Sequence, residues 1–161
     1  MARRPQSLKA RAIGMLSRRE HSRTELARKL APHCEDPAEL ESLLNELEAG
    51  NWLSQQRFAE SLIHRRAPKL GTRRVLQELR QHGLPEGVVA EAADSLRETE
   101  MQRAREVWHK RFGVAPADTT EYARQYRYMA ARGFPSSCLR AILADLGSDP
   151  ALEPAMPDDS F

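Results

Sequence analysis

Leu40-Glu41-Ser42-Leu43-Leu44-Asn45-Glu46-Leu47 sets leucines at i, i+3, i+4 and i+7, a single stripe along an α-helix. The quartet recurs as Val89, Ala92, Ala93, Leu96 and again as Leu139, Ile142, Leu143, Leu146, at offsets of 49 and then 50 residues. A short helix carrying such a stripe must bury it against neighbours, and a fixed period near 50 residues marks a helical repeat in which each unit covers the next. The reading is an all-α chain, an elongated array of three tandem three-helix repeats with about nine short helices. No segment alternates apolar and polar residues with the β-branched enrichment of a strand.

The register extends one helix upstream, where Leu26 and Leu30 map onto Val75 and Leu79, and Leu79 onto Met129. In the third copy Val75 maps onto Gln125, and the apolar role there is expected to pass to Tyr122, Tyr126 and Met129. The junction that follows is kept as Gly83-Leu84-Pro85 and Gly133-Phe134-Pro135. Glycine supplies the left-handed residue that ends one helix, and proline pre-sets φ for the start of the next. First helices are expected from Ser7 to Ser17, from about Ser54 to Ala67 and from about Glu100 to Arg111. Ser22 with Glu25 forms a capping box, and Asp36 before Pro37 starts a third helix. The expected layout is a flexible N-terminus over 1–6, repeats over 7–53, 54–98 and 99–147, and a flexible acidic, proline-containing tail over 148–161. Helices packed at roughly 8–10 Å would give an array on the order of 60 Å long.

The net charge of +2 conceals strong segregation. Residues 1–34 carry nine basic and two acidic side chains (+7), and residues 35–60 carry one and seven (−6). Residues 61–85 then carry six and one (+5), and residues 86–102 one and five (−4). Basic charge gathers on the first two helices of a repeat and acidic charge on its third. Residues 103–140 hold eight bases to three acids, and 141–161 five acids and no base. A basic flank able to follow a polyanion is one reading, with Arg18, Arg19, Arg23, Arg28, Lys29, Arg65, Arg66, Lys69, Arg73, Arg74, Arg80 and Arg132 as its candidate residues. The other reading is a solvated face whose charges pair with neighbouring acidic helices, and charge alone weighs the two equally.

Catalytic chemistry finds no support, since P-loop, GxGxxG, HExxH and GxSxG patterns are all missing. The protein is not expected to be an enzyme or to need a cofactor. His21, His33, His64, His82 and His109 are scattered, and surface or capping roles are expected for them. Trp52, Phe58, Trp108, Phe112 and Phe134 are expected in core packing rather than in base stacking. Cys34 and Cys138 lack metal-ligand spacing and are expected as free thiols. With neither a membrane-length apolar run nor a hydrophobic signal core, the expected location is cytoplasmic.

Leu16-Ser17-Arg18-Arg19-Glu20-His21-Ser22-Arg23-Thr24-Glu25-Leu26 resembles the opening signature of the RecX family of bacterial recombinase regulators. Further blocks follow in the family's order: Gly50-Asn51-Trp52-Leu53-Ser54 with Arg57-Phe58-Ala59, then Gly71 to Gly83 with Arg74-Val75 and Glu78-Leu79, then Arg132-Gly133-Phe134. The resemblance spans roughly residues 8–146 and is specific through the number and order of its blocks. Gln55 departs from the acid usual after the Ser54 position, and Pro135 stands where a serine cap is common. The resemblance implies a three-repeat helical modulator that binds the RecA recombinase. It would lodge in the groove of the RecA filament on single-stranded DNA and suppress ATPase, strand-exchange and co-protease activities. Separately, the free protein is expected to be monomeric. The competing class is a direct DNA-binding regulator with helix-turn-helix-like units.

Overall fold

The structure, a computed structural model, describes residues 6–155. Eight α-helices appear among them: α1 (Leu8–Leu16), α2 (Arg23–Leu30), α3 (Pro37–Ala49), α4 (Gln55–Arg66), α5 (Thr72–Gln81), α6 (Glu86–Arg111), α7 (Thr119–Ala131) and α8 (Ser136–Asp145). There is no strand among the described residues. The helices fall into three triplets, and nine become eight because α6 serves two of them. Its 26 residues carry both the third helix of the second repeat and the first of the third. Between Gly87 and Arg111 the sequence offers neither proline nor glycine, so nothing stops the helix where the repeats meet.

Two compact units divide the chain, Met1–Leu62 with Glu78–Ala90, and Ile63–Gln77 with Glu91–Phe161. In the first, Ala12, Leu26, Leu30, Leu43, Leu44, Leu47 and Leu53 form one buried cluster, with Leu40 partly covered beside it. In the second, Ala104, Trp108, Tyr122, Met129, Phe134, Cys138, Leu139, Ile142 and Leu143 form another. Val89, Ala92, Ala93 and Leu96 are all buried. Leu146 departs from its quartet: it caps α8 beyond the last helical turn and is 49% exposed. Trp52 also leaves the expected core, being 53% exposed in the loop before α4.

Helix starts follow side-chain chemistry. Ser22 Oγ accepts the Glu25 N–H at 3.1 Å, and Asp36 Oδ1 accepts the Ala38 N–H at 2.9 Å. Gln55, the departure from the family pattern, accepts the Arg23 N–H at 3.3 Å through Oε1 and so helps to cap α2. Gly83 and Gly133 take φ of +72° and +87°, the left-handed residues expected after α5 and α7. Pro135 stands at the N-cap of α8, one position earlier than the first turn the sequence suggested.

Gln125 is where the third repeat departs most from the pattern. It remains buried, at 1% exposure, in the place of the fully buried Val75. Trp108 Nε1 donates to its Oε1 at 2.8 Å, and its Nε2 donates to the Val114 carbonyl at 3.1 Å. A buried indole N–H needs an acceptor, and glutamine supplies one where valine cannot. Tyr122 and Met129 take up the apolar burial as expected, while Tyr126 is only partly covered.

Of the expected flexible termini, residues 1–5 and 156–161 lie outside the described residues, while residues 6 and 148–155 are described. Within the expected tail, Pro150–Leu152 form a 3-10 turn. Leu152 packs against the core of the second unit, so this apolar residue ties the stretch down.

Candidate functional site

In the first unit lie Arg18, Arg19, Arg23, Arg28, Lys29 and Arg80, and most of them serve internal ion pairs. Arg23 donates to Glu48 and Glu41, both at 2.6 Å, and to Asn45 Oδ1 at 2.9 Å, fastening the start of α2 to the acidic face of α3. Arg19 and Lys29 converge on the carboxylate of Glu25, which is only 10% exposed. Hydrogen bonding from Arg19, assisted by Lys29 and opposed by burial, holds the Glu25 pKa down at about 2. Arg80 pairs with Glu86 at 2.9 Å. Arg18 and Arg28 are exposed. The solvated, paired face therefore describes Arg19, Arg23, Lys29 and Arg80.

Two side chains of this unit depart from the roles read for them or gave no signal in the sequence. His21 is buried at 3% rather than on the surface. Its Nδ1 lies 3.0 Å from the Arg19 carbonyl and its Nε2 3.3 Å from Lys29 Nζ, which fits a neutral ring donating through Nδ1. Burial lowers its pKa. Arg57 spans Glu20 at 2.8 Å, Asn51 Oδ1 and the Asn51 carbonyl at 2.9 Å each, and the Trp52 carbonyl at 3.2 Å. That clamp holds the loop in which Asn51 takes a left-handed φ of 59°.

The second unit holds Arg65, Arg66, Lys69, Arg73, Arg74 and Arg132. Arg65, Arg66 and Lys69 are exposed, and the placement of Arg73, Arg74 and Arg132 rests on a close approach of two backbones. A Cβ on Gly71 would meet the Gly133 carbonyl at 2.3 Å, and one on Gly133 would meet Arg74 N and Cβ at 2.6 Å. Only glycine allows this contact, and it lets the Gly71 N–H donate to the Arg132 carbonyl at 2.8 Å. The first turn of α5 is thereby set against the α7–α8 turn. Arg73 donates to the Ala130 carbonyl at 3.2 Å, and Arg74 to Gln77 at 3.3 Å, while both stay exposed.

Arg103 anchors the same region from beneath. It is 8% exposed and donates to the carbonyls of Ala67, Leu70 and Leu96 and to the hydroxyls of Thr72 and Thr99. Burial lowers its pKa, with Glu100 acting against that. Glu100 in turn accepts the Thr72 N–H at 2.8 Å at the start of α5. Sequence reasoning counted Arg103 only as one of the eight bases over residues 103–140; its position seven residues after Leu96, on the same face of α6, was the available signal.

Beside this anchor a groove of about 480 Å³ opens, lined by Pro68, Lys69, Glu106, Val107, Lys110, Arg111, Tyr128 and Arg132. The Arg132 guanidinium lies 3.6 Å from the centroid of the Tyr128 ring, and Arg111 sits 5.5 Å from it. Phe112 meets Tyr128 edge-on at 5.1 Å, with Arg111 and Arg124 each 5.7 Å from its ring. Lys69 and Arg132 were among the sequence candidates, whereas Lys110, Arg111 and Tyr128 were missed. The legible signal was that basic residues end or follow three helices here: Lys69 after α4, Lys110-Arg111 at the end of α6, and Arg132 after α7. Cations at helix C-termini are stabilised by the helix dipole.

Among the described residues no group of three or more His, Cys, Asp or Glu could hold a metal ion, and no helix is long and apolar enough to cross a membrane. Cys34 and Cys138 are free thiols, and burial pushes Cys138 up to about 11.

Comparison with known proteins gives a consistent picture. The profile of the RecX second three-helix domain matches residues 54–92, and that of the RecX third three-helix domain matches residues 98–143. The regulatory protein RecX of Ralstonia pickettii is 54% identical over 153 residues, covering 95% of each chain. That of Chromobacterium violaceum is 46% identical over 149 residues, covering 92% of this chain and 97% of the relative. A crystal structure of RecX from Lactobacillus salivarius is similar in fold, with a TM-score of 0.74 at 14% identity over 87% of this chain and 94% of that one.

Proposed function

The chain belongs to the RecX family of regulatory proteins, and on that footing we propose that it binds the RecA recombinase and its filament on single-stranded DNA and restrains ATPase, strand exchange and co-protease activity. It does so without catalysis, as a monomer in the bacterial cytoplasm. The observation that carries the reading is 54% identity over 95% of the chain to a relative named as a regulatory protein. A surface suited to such binding is at hand, with Arg73 and Arg74 exposed on α5 opposite the buried Val75 and Leu79. A polyanion or an acidic protein surface is what such a stripe attracts, and contact through phosphates tolerates any sequence.

The test measures the DNA-dependent ATPase of RecA with wild-type protein and with Arg73→Glu/Arg74→Glu. Wild-type protein should inhibit, and the folded double variant should need at least tenfold more protein for the same inhibition. Undiminished inhibition by a variant with native helical content would remove these arginines from the interface. Strong preference for one duplex sequence without RecA would favour direct DNA-binding regulation instead.

A further inference from the structure

The groove of the second unit combines features that a structural role leaves unexplained. Lys69, Lys110, Arg111 and Arg132 form no ion pair within 4 Å among the described residues. In the first unit, by contrast, Arg19, Arg23, Lys29 and Arg80 each hold a carboxylate. Glu106, the groove's one acid, accepts from Gln102 at 3.1 Å. Four cations thus line one shared opening with a single carboxylate beside them, a net positive charge.

The aromatic layer narrows the ligand class. Arg132 lies over one face of Tyr128 at 3.6 Å, Arg111 sits 5.5 Å from the same ring, and Phe112 meets that ring edge-on. A guanidinium laid on a ring presents a flat, delocalised cation, the surface on which an unpaired base stacks. Lys69 and Lys110, which line the groove and are exposed, are suited to phosphates as point charges. An acidic peptide would match the charge and leave the planar layer unused; a duplex would match the charge and hide its bases.

We propose that this groove is a single-stranded nucleic-acid contact, stacking a base on the Arg132–Tyr128 layer while Lys69 and Lys110 hold the adjoining phosphates. The assignment deepens the filament reading and rests on it for bringing a single strand within reach. The contact itself belongs to this chain and operates without recombinase. DNA and RNA share the chemistry invoked, so both are included as probes.

The experiment titrates the full-length protein into labelled twelve-nucleotide oligo-dT, oligo-rU and a duplex of equal length, without RecA, following fluorescence anisotropy over a range of salt. Single strands should bind more tightly than duplex, with a logarithmic salt slope of about −2 to −3 for three to four phosphate contacts. Lys69→Glu/Lys110→Glu should weaken binding at least tenfold and flatten the slope by about 1.4, two phosphates at ~0.7 each. Arg132→Lys keeps the charge and removes the plane; it should lose severalfold in affinity at an unchanged slope. Helical content and melting temperature identify any variant that fails to fold, and the two variants are independent probes of the same groove.

Equal affinity for duplex and single strand would overturn the proposal, as would wild-type affinity and slope in the folded lysine variant. If the lysine variant loses ATPase inhibition yet keeps oligonucleotide binding, the groove is a protein contact, and this inference fails while the regulatory reading stands. If oligonucleotide binding falls as expected while wild-type protein leaves RecA's ATPase untouched, the groove assignment stands and the regulatory reading fails.

Discussion

Replacing Gly133 by alanine should be among the most damaging single-methyl additions this chain can receive. Its φ of +87° lies in the left-handed region, which costs a residue with a side chain about 1–2 kcal/mol. The added Cβ would lie 2.6 Å from both N and Cβ of Arg74, close to an ångström inside ordinary contact, and these atoms belong to the framework of α5 rather than to a flexible tip. Moving the first turn of α5 away stretches the 2.8 Å hydrogen bond from Gly71 N–H to the Arg132 carbonyl. Overpacking of this kind costs about 1–3 kcal/mol and a weakened hydrogen bond about 1. The sum is about 4 kcal/mol, or a melting temperature lower by roughly 8–16 °C for a chain of this size. Gly83→Ala supplies the internal control: its φ is also positive, at +72°, but its Cβ would meet only the Thr24 side chain, whose hydroxyl can rotate aside. That variant should lose about 1–2 kcal/mol. Gly87→Ala, in α6 with open space around it, should gain up to about 1 kcal/mol. Thermal and urea denaturation of the three variants gives the ranking. A Gly133→Ala variant no less stable than Gly83→Ala would refute the claim that backbone contact sets α5 against the α7–α8 turn.

Gln125→Leu, nearly the same size, strands the Trp108 indole N–H and the Val114 carbonyl and should cost about 2–3 kcal/mol; Trp108→Phe in the same chain should recover part of that in a double-mutant cycle. A neutral Gln125→Leu would show that the buried pair is not needed. Acid should weaken the first unit through Glu25: its stabilisation is fully present above the unfolded value of 4.5 and is lost as pH falls through about 2. With Arg19 45% exposed, solvent screening reduces the effect to about 1–2 kcal/mol, so the stability gap between wild type and Glu25→Gln should close between pH 5 and 2. A gap that stays constant over that range would remove Glu25 as the cause. The buried His21, its pKa lowered below 6.5, should add an earlier loss that begins as pH falls below about 6.5.

What the sequence disclosed depended on whether the signal was local or arose from contact at a distance. The leucine quartet revealed α3 and its two relatives because a helix stripe is written in consecutive residues, and the Gly-Pro junctions were legible for the same reason. The continuous α6 was missed because a repeat boundary suggests a break, whereas only breaker residues make one. At the candidate site, charge tallies found Lys69 and Arg132 but could not tell them from Arg23 or Lys29, since pairing depends on which acidic helix lies opposite. Tyr128 lies outside the expected apolar set of Tyr122, Tyr126 and Met129, and a charge tally does not count an aromatic residue. Arg103 was not singled out because three of its five acceptors, on Ala67, Leu70 and Thr72, come from outside α6, and only those on Leu96 and Thr99 lie at helical spacing from it.

The unbroken α6 also bears on how such a chain could change length through evolution. A loop between repeats would absorb an extra residue, but at positions 98–100 each insertion turns everything downstream by about 100° about the helix axis. Arg103 would then swing off the Leu96 carbonyl, and Gly133, carried with the downstream residues, would leave its contact with Gly71 and Arg74. Insertions and deletions in this stretch should therefore be rare, tolerated only in groups of three or four residues that nearly restore the phase. Within the second unit, the length of α6 between Leu96 and Arg103 is thus as constrained as the identity of the residues at its two ends.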